Sequence, residues 1–116
     1  MKIYLSGPMR GVPYFNFPQF IRVARDLRSM GHEVFCPAES DLEAYGPEVC
    51  NSPTGNLEDI KHITFSLREA LLRDCEYICK TADAVAMLPG WENSKGATAE
   101  RALGIALGHQ IMEILN

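Results

Sequence analysis

The chain has no basic block. Its 116 residues carry 11 Lys and Arg against 15 Asp and Glu, a net charge of −4. A protein that grips duplex nucleic acid gathers Lys and Arg on one face, so nucleic acid is not an expected partner. A small phosphorylated ligand needs only one pocket and is not excluded by this balance. No apolar run approaches the ~18 residues of a membrane span, and the N-terminus enters the β-rich run KIYLSG without the apolar core of a signal peptide. These absences lead us to expect a cytoplasmic protein with no membrane partner. Cysteine is sparse: Cys36, Cys50, Cys75 and Cys79, expected as reduced thiols in that compartment, follow no zinc spacing. Cys75 and Cys79 stand four apart on an expected helix, where they read as a shared metal pair or as two small buried hydrophobes. His32, His62 and His109 form no metal or triad pattern and read as structural. No GxGxxG is present, so a dinucleotide cofactor is not indicated. No metal and no cofactor are expected, and there is no repeat or low-complexity segment.

What remains is one domain's worth of chain, residues 1–116, with 47% hydrophobic residues. A domain this small buries a modest fraction of its surface, so a homodimer or higher homo-oligomer is expected. Residues 2–7 (KIYLSG) read as a first strand. PMRGVPYFNFP follows, turn-rich and aromatic, with Asn16 as a candidate cap and Pro18 in the first turn of a helix to about Met30, stopped by Gly31. HEVFCP is a second strand. From Ala38 to Gly55 no period is clear, which predicts a long loop with at most a short helical turn. SLRE at Ser66–Glu69 is a capping box opening a helix to about Lys80. ADAVAMLP is a continuous apolar strand, the mark of burial on both faces. A further helix begins near Ser94 and ends at Gly108, and HQIMEIL is the last strand. Strands alternating with helices predict an α/β sandwich of three layers around a mostly parallel sheet. Ligands in such sheets lie beyond the carboxyl ends of the strands. The loops SGPMRG, CPAES and PGWENS should therefore meet at one rim.

Two acids stand out. Glu100 shares a helical face with Gly96 and Gly104, each four residues away, while Ala99, Ala102, Leu103 and Ala106 are expected on the packed side. Two helical glycines cost about 1 kcal/mol each, a loss that makes sense if a backbone or a ligand must come close. Glu100 reads as a site carboxylate beside that groove or as a solvated surface acid. Asp74 interrupts the stripe Leu67, Leu71, Ile78. It reads as a functional acid or as an edge residue paired with Arg73 or Lys80. In the first loop, Gly7 and Gly11 flank Pro-Met-Arg. Their amides can form an anion nest and Arg10 can fork onto phosphate oxygens; a plain tight turn is the equal alternative. Ser94 is a donor near a helix N-terminus, where anions are favoured, and also a ready N-cap. Trp91, Tyr14 and Phe15 are rim aromatics suited to stacking on a base or to covering the core.

IYLSGPMRG, the Arg73-Asp74 pair and ADAVAMLPGWENSKGATAERALGIALG together resemble the nucleoside 2-deoxyribosyltransferase-like superfamily over nearly the whole chain. Their order and spacing are similar to those of the 2'-deoxynucleoside 5'-monophosphate N-hydrolases. The resemblance implies a Rossmann-like sheet of about five parallel strands and attack at C1' of a sugar. It implies Glu100 as nucleophile and Asp74 as general acid toward the leaving base. Ser94 stands where transferases on free nucleosides carry Asp and monophosphate hydrolases carry Ser. With Tyr4, Ser6, Gly7, Met9, Arg10, Gly11, Trp91 and Gly96 as further substrate-binding positions, it implies a nucleoside 5'-monophosphate. The family often closes its pocket with a C-terminal segment of a neighbouring subunit. Here the chain stops at Asn116 directly after the last strand, and the segment from Asp41 to Gly55 is the candidate replacement. Three functions are therefore carried forward: N-glycosidic cleavage or transfer on (deoxy)nucleoside 5'-monophosphates, a nucleotide-binding module without turnover, and a phosphoribohydrolase, whose PGGxGTxxE motif LPGW…GATAE faintly echoes.

Overall fold

A computed structural model describes residues 1–115. Four strands, β1 (Lys2–Ser6), β2 (Glu33–Phe35), β3 (Ala84–Met87) and β4 (Gln110–Glu113), form one sheet in the order β2-β1-β3-β4. Every pairing is parallel, with Tyr4 opposite Phe35 on one side and Val85 on the other. The helices are α1 (Phe17–Ser29), α2 (Pro37–Tyr45), α3 (Leu67–Lys80) and α4 (Lys95–Ala106). This is the expected α/β sandwich around a parallel sheet, with four strands where the resemblance implied about five. The chain between β2 and β3 forms helices and short 3-10 turns only, so no strand is left to extend the sheet. No helix among the described residues is long and apolar enough to cross a membrane.

The two faces of the sheet make separate cores because strand side chains alternate. Ile3, Leu5, Ala84 and Ala86 pack with Phe17, Phe20, Ala24 and Leu27 of α1. Tyr4, Val85 and Met87 face the other way, toward Ile78 of α3 and Ala97 of α4. Tyr4 stacks on Phe35 at 5.6 Å, and Phe35 meets Tyr77 at 4.7 Å. The chain leaves β1 for β2 on one side and β3 for β4 on the other, so the strand order reverses between β1 and β3. In open parallel sheets that crevice is where ligands lie.

Several local expectations are corrected. Residues 38–55 are largely ordered: Pro37 sits in the first turn of α2 and Gly46 stops it. Its period was hard to see because its buried face is Pro37, Ala38 and the acid Asp41. A bidentate pair between Arg28 and Glu39, at 2.8 and 2.7 Å, ties α2 to α1. Asn16 precedes α1 but makes no side-chain cap; its amide donates to the Pro8 carbonyl at 3.0 Å instead. Tyr14, Phe15 and Asn16 form a left-handed run with φ of 56°, 53° and 64°. Non-glycine residues pay strain there. The Tyr14 amide, bonded to the Ser52 carbonyl at 2.7 Å, helps to hold the run in place. The capping box forms by half: the Ser66 hydroxyl accepts from the Glu69 amide at 3.2 Å, while the Ser66 amide donates to the Tyr45 hydroxyl at 3.4 Å. Gly31 and Gly108 both take positive φ at helix-to-strand joints, 95° and 78°.

The largest correction concerns α4. Its buried face is Ala97, Glu100 and Gly104; Ala99, Ala102 and Ala106 are exposed and Leu103 is half-buried. The helix therefore turns its acid inward, and Gly104 makes that possible. A Cβ there would sit 2.8 Å from Val85 Cγ2, a stiff branched side chain in the core. Gly104→Ala is expected to destabilise the fold by about 1–3 kcal/mol through overpacking, measured by urea denaturation. Unchanged or raised stability would contradict the close approach of α4 to β3.

Candidate active site

A cavity of about 380 Å³ opens at the carboxyl end of the sheet. Its volume falls in the range of small-ligand sites. All three predicted rim loops reach it: Ser6, Gly7, Met9 and Arg10 after β1, Pro37 and Asp41 after β2, and Asn93, Ser94 and Gly96 around the start of α4. Tyr4 rises from the sheet floor, and Leu67, Leu71 and Asp74 line the α3 wall. Asp74 and Glu100, 26 positions apart in the chain, border the same space.

Glu100 is 6% exposed. The Tyr4 hydroxyl donates to its Oε2 and the Ser6 hydroxyl to its Oε1, both at 2.7 Å. Tyr4 and Ser6 share a strand face, two positions apart, which aims both hydroxyls at one carboxyl. Burial raises the Glu100 pKa from 4.5 to about 7; the two hydroxyls act in the opposite sense, and the charge of Asp74 adds to the rise. Tyr4 itself, buried beside Glu100, is raised far above its ordinary value and stays a neutral donor.

Asp74 accepts from Arg73 Nε at 3.0 Å and Nη2 at 2.8 Å on the same oxygen, Oδ1. The other arm of that guanidinium, Nη1, donates to Asp41 Oδ1 at 2.9 Å. One cation thus holds two acids at the cavity wall, pairing Asp74 with Arg73 as the simpler reading anticipated. Burial still wins over the pairing, so the Asp74 pKa lies above its ordinary value. Burial also lifts Asp41 to about 6 against the pull of Arg73.

Ser94 caps α4, its hydroxyl oxygen accepting from the Ala97 amide at 3.1 Å, and borders the cavity at the helix N-terminus. A Cβ on Gly96 would meet nothing nearer than Ser94 Oγ at 4.0 Å. The two glycines flanking Glu100 therefore serve different ends: Gly104 admits the sheet, and Gly96 leaves room in the cavity. Gly7 is needed for packing, since its Cβ would lie 2.6 Å from Leu88 Cβ.

Two predicted binding residues lie elsewhere. Trp91 is absent from the cavity wall; its ring lies 4.7 Å from the Arg101 guanidinium, and its indole N–H donates to Glu113 at 3.4 Å. Gly11 is also outside the lining, with its amide bonded to the Gly55 carbonyl at 3.0 Å. Phe15 is buried in the α1 core and Tyr14 is exposed. His109 donates from Nε2 to the Ile78 carbonyl at 2.7 Å, a structural bond. Sequence reasoning missed Asp41 and underused Arg73. Once α2 is seen as a helix, Asp41 breaks its buried face as Asp74 breaks that of α3.

With this geometry in hand, comparison with known proteins adds one finding. The model of a family described as Domain of unknown function (DUF4406) matches residues 1–113. No curated protein and no solved structure matches the chain.

The Glu100 environment has a thermodynamic signature. Its folded pKa lies above its unfolded value, so the folded state holds the proton more tightly. The stability this gives is full below pH about 4.5 and is lost as pH rises to about 7. Glu100→Gln keeps the shape without the ionisation. Above pH 7 the variant is expected to be more stable than the natural protein by about 3–3.5 kcal/mol, a rise from 4.5 to about 7 at ~1.4 kcal/mol per pKa unit, and near pH 4 about equal. Thermal melts across pH read this directly; a variant less stable at pH 8 would contradict a strained buried carboxylate.

Proposed function

Since the chain belongs to the DUF4406 family, whose description states no activity, its function has to come from the site, and we propose that it cleaves the N-glycosidic bond of (deoxy)nucleoside 5'-monophosphates through Glu100. The observation that carries this reading is the sharing of one cavity by two carboxyl groups with different surroundings, Glu100 under two hydroxyl donors and Asp74 against Arg73. Two acids held apart in environment can divide nucleophile and proton donor between them. Mutual repulsion favours the state in which only one of them is ionised.

In the first step the ionised Glu100 bonds to C1' of the sugar as the bond from C1' to the base nitrogen breaks. Asp74 gives its proton to the departing base. Tyr4 and Ser6 fix the direction of the attacking oxygens. In the second step a water oxygen bonds to C1' and the ester bond to Glu100 breaks. The proton released by that water goes to Asp74, which restores both acids and yields free base and the sugar 5-phosphate. A second base in place of water would make the reaction a transfer. Ser94, the open space at Gly96, Arg10 and the N-terminus of α4 supply the anion cradle for the 5'-phosphate. This arrangement supports membership of the nucleoside 2-deoxyribosyltransferase-like superfamily.

Incubation with the common ribo- and deoxynucleoside 5'-monophosphates is expected to release free base, detected by chromatography. Glu100→Ala should abolish release by a factor of 10³ or more, as loss of a nucleophile does, while nucleotide binding persists. Release should rise with pH through a limb near 7, where Glu100 ionises. No base from any nucleotide, with binding intact, would overturn the catalytic reading in favour of a nucleotide-binding module.

A further inference from the structure

The two steps above use Glu100 and Asp74 and leave a third buried acid of the cavity without a task. Asp41 is 4% exposed and borders both the main cavity and a neighbouring apolar compartment of about 80 Å³ that includes Phe15, Phe17, Ile60 and Phe65. Its Oδ1 accepts from Arg73 Nη1 at 2.9 Å. Among the described residues, Oδ2 accepts no hydrogen bond. That oxygen is not sealed off, since among the described residues Arg101 Nε is the buried side-chain polar atom without a partner, so Oδ2 remains accessible at the cavity and able to accept from a ligand N–H.

The position of Asp41 says which part of a ligand that is. The Arg73 guanidinium reaches Asp74 with Nε and Nη2 and Asp41 with Nη1, so the two acids lie side by side along the wall. Asp74 faces the nitrogen of the leaving base in the proposed chemistry. Asp41, joined to Asp74 through that guanidinium, stands further along a cavity that Pro37, Phe65 and Leu67 also line; in that chemistry its place corresponds to the edge of the base. Resting on that reading of the site, we propose that Asp41 is the specificity residue for the base. Its Oδ2 accepts from an exocyclic amino group, so the site selects amino-bearing bases over their oxo counterparts. A carboxylate pairs with an amino edge and repels a carbonyl oxygen in the same place. Sites built to hydrogen-bond one group reject analogues that lack it far more strongly than apolar pockets do.

Two matched pairs test this: the deoxynucleoside 5'-monophosphates of adenine and hypoxanthine, and those of cytosine and uracil. Titration calorimetry and base release are measured for the natural protein and for Asp41→Asn, with folding checked by circular dichroism. The amino member of at least one pair is expected to bind about tenfold more tightly or better, the order of a hydrogen bond to a charged group. In Asp41→Asn, whose amide can donate to a carbonyl, the preference should shrink to about threefold or reverse. Equal affinity for both members of each pair in the natural protein overturns the proposal, even if the variant does not fold. A preference that survives in Asp41→Asn also overturns it. Discrimination in binding without base release supports Asp41 and removes the catalytic reading. Base release at equal kcat/KM from both members removes the role of Asp41 alone. Failure of all four nucleotides to bind removes both.

Discussion

A single carboxyl group buried under two hydroxyls organises this molecule. Glu100 is turned into the protein, where Tyr4 and Ser6 each hold one of its oxygens at 2.7 Å. Burying an acid is unfavourable, and two hydrogen bonds offset only part of the cost, which is why its proton is held up to about 7. The architecture around it follows from that placement. A strand must present two polar residues on one face at its carboxyl end, α4 must lie close enough to the sheet to deliver Glu100, and position 104 must carry no side chain.

The second constraint is the Arg73 clamp. By reaching Asp74 with one edge and Asp41 with its other arm, this guanidinium fixes α3 relative to α2 as well as the two acids. Its charge keeps the cavity from accumulating uncompensated negative charge, since three buried carboxyl groups face one volume. The resulting wall is graded: Glu100 near the sheet, Asp74 beside it, Asp41 toward α2. Such an arrangement favours a ligand whose parts differ in polarity along its length, and a nucleotide is such a ligand.

Much of the fold was legible because strands and helices here follow their periods closely. The four strand segments read from KIYLSG, HEVFCP, ADAVAMLP and HQIMEIL are the four strands of the sheet, within a residue or two at their ends. The fifth strand came from resemblance alone and has no counterpart among the described residues. What misled was polarity on inward faces. Asp41 hid α2 by breaking its apolar face, and on α4 the alanines looked like the packed side although they are exposed, while the close approach expected on the Gly96–Glu100–Gly104 face is where the helix meets the sheet and the cavity. Both errors arise where the cavity replaces apolar packing. Glu100, Asp74 and Ser94 stood out by residue type and spacing and Ser6 through the resemblance, and all four line the cavity. Trp91 was misplaced because stacking on Arg101 and stacking on a base leave the same trace in sequence. The left-handed turn at Tyr14–Asn16 left no trace at all, since tertiary hydrogen bonds impose it.

The claim at the centre of this account is that Glu100 forms a bond to the sugar. Intact-protein mass spectrometry tests it directly, after brief incubation with a 2'-fluoro-arabinonucleoside 5'-monophosphate. The electron-withdrawing fluorine slows breakdown of the ester, so the intermediate accumulates. The account predicts a gain of one fluorinated pentose phosphate, located by peptide mapping on Glu100 and absent from Glu100→Ala. An unchanged mass with every base tried, or an adduct on another residue, would contradict it.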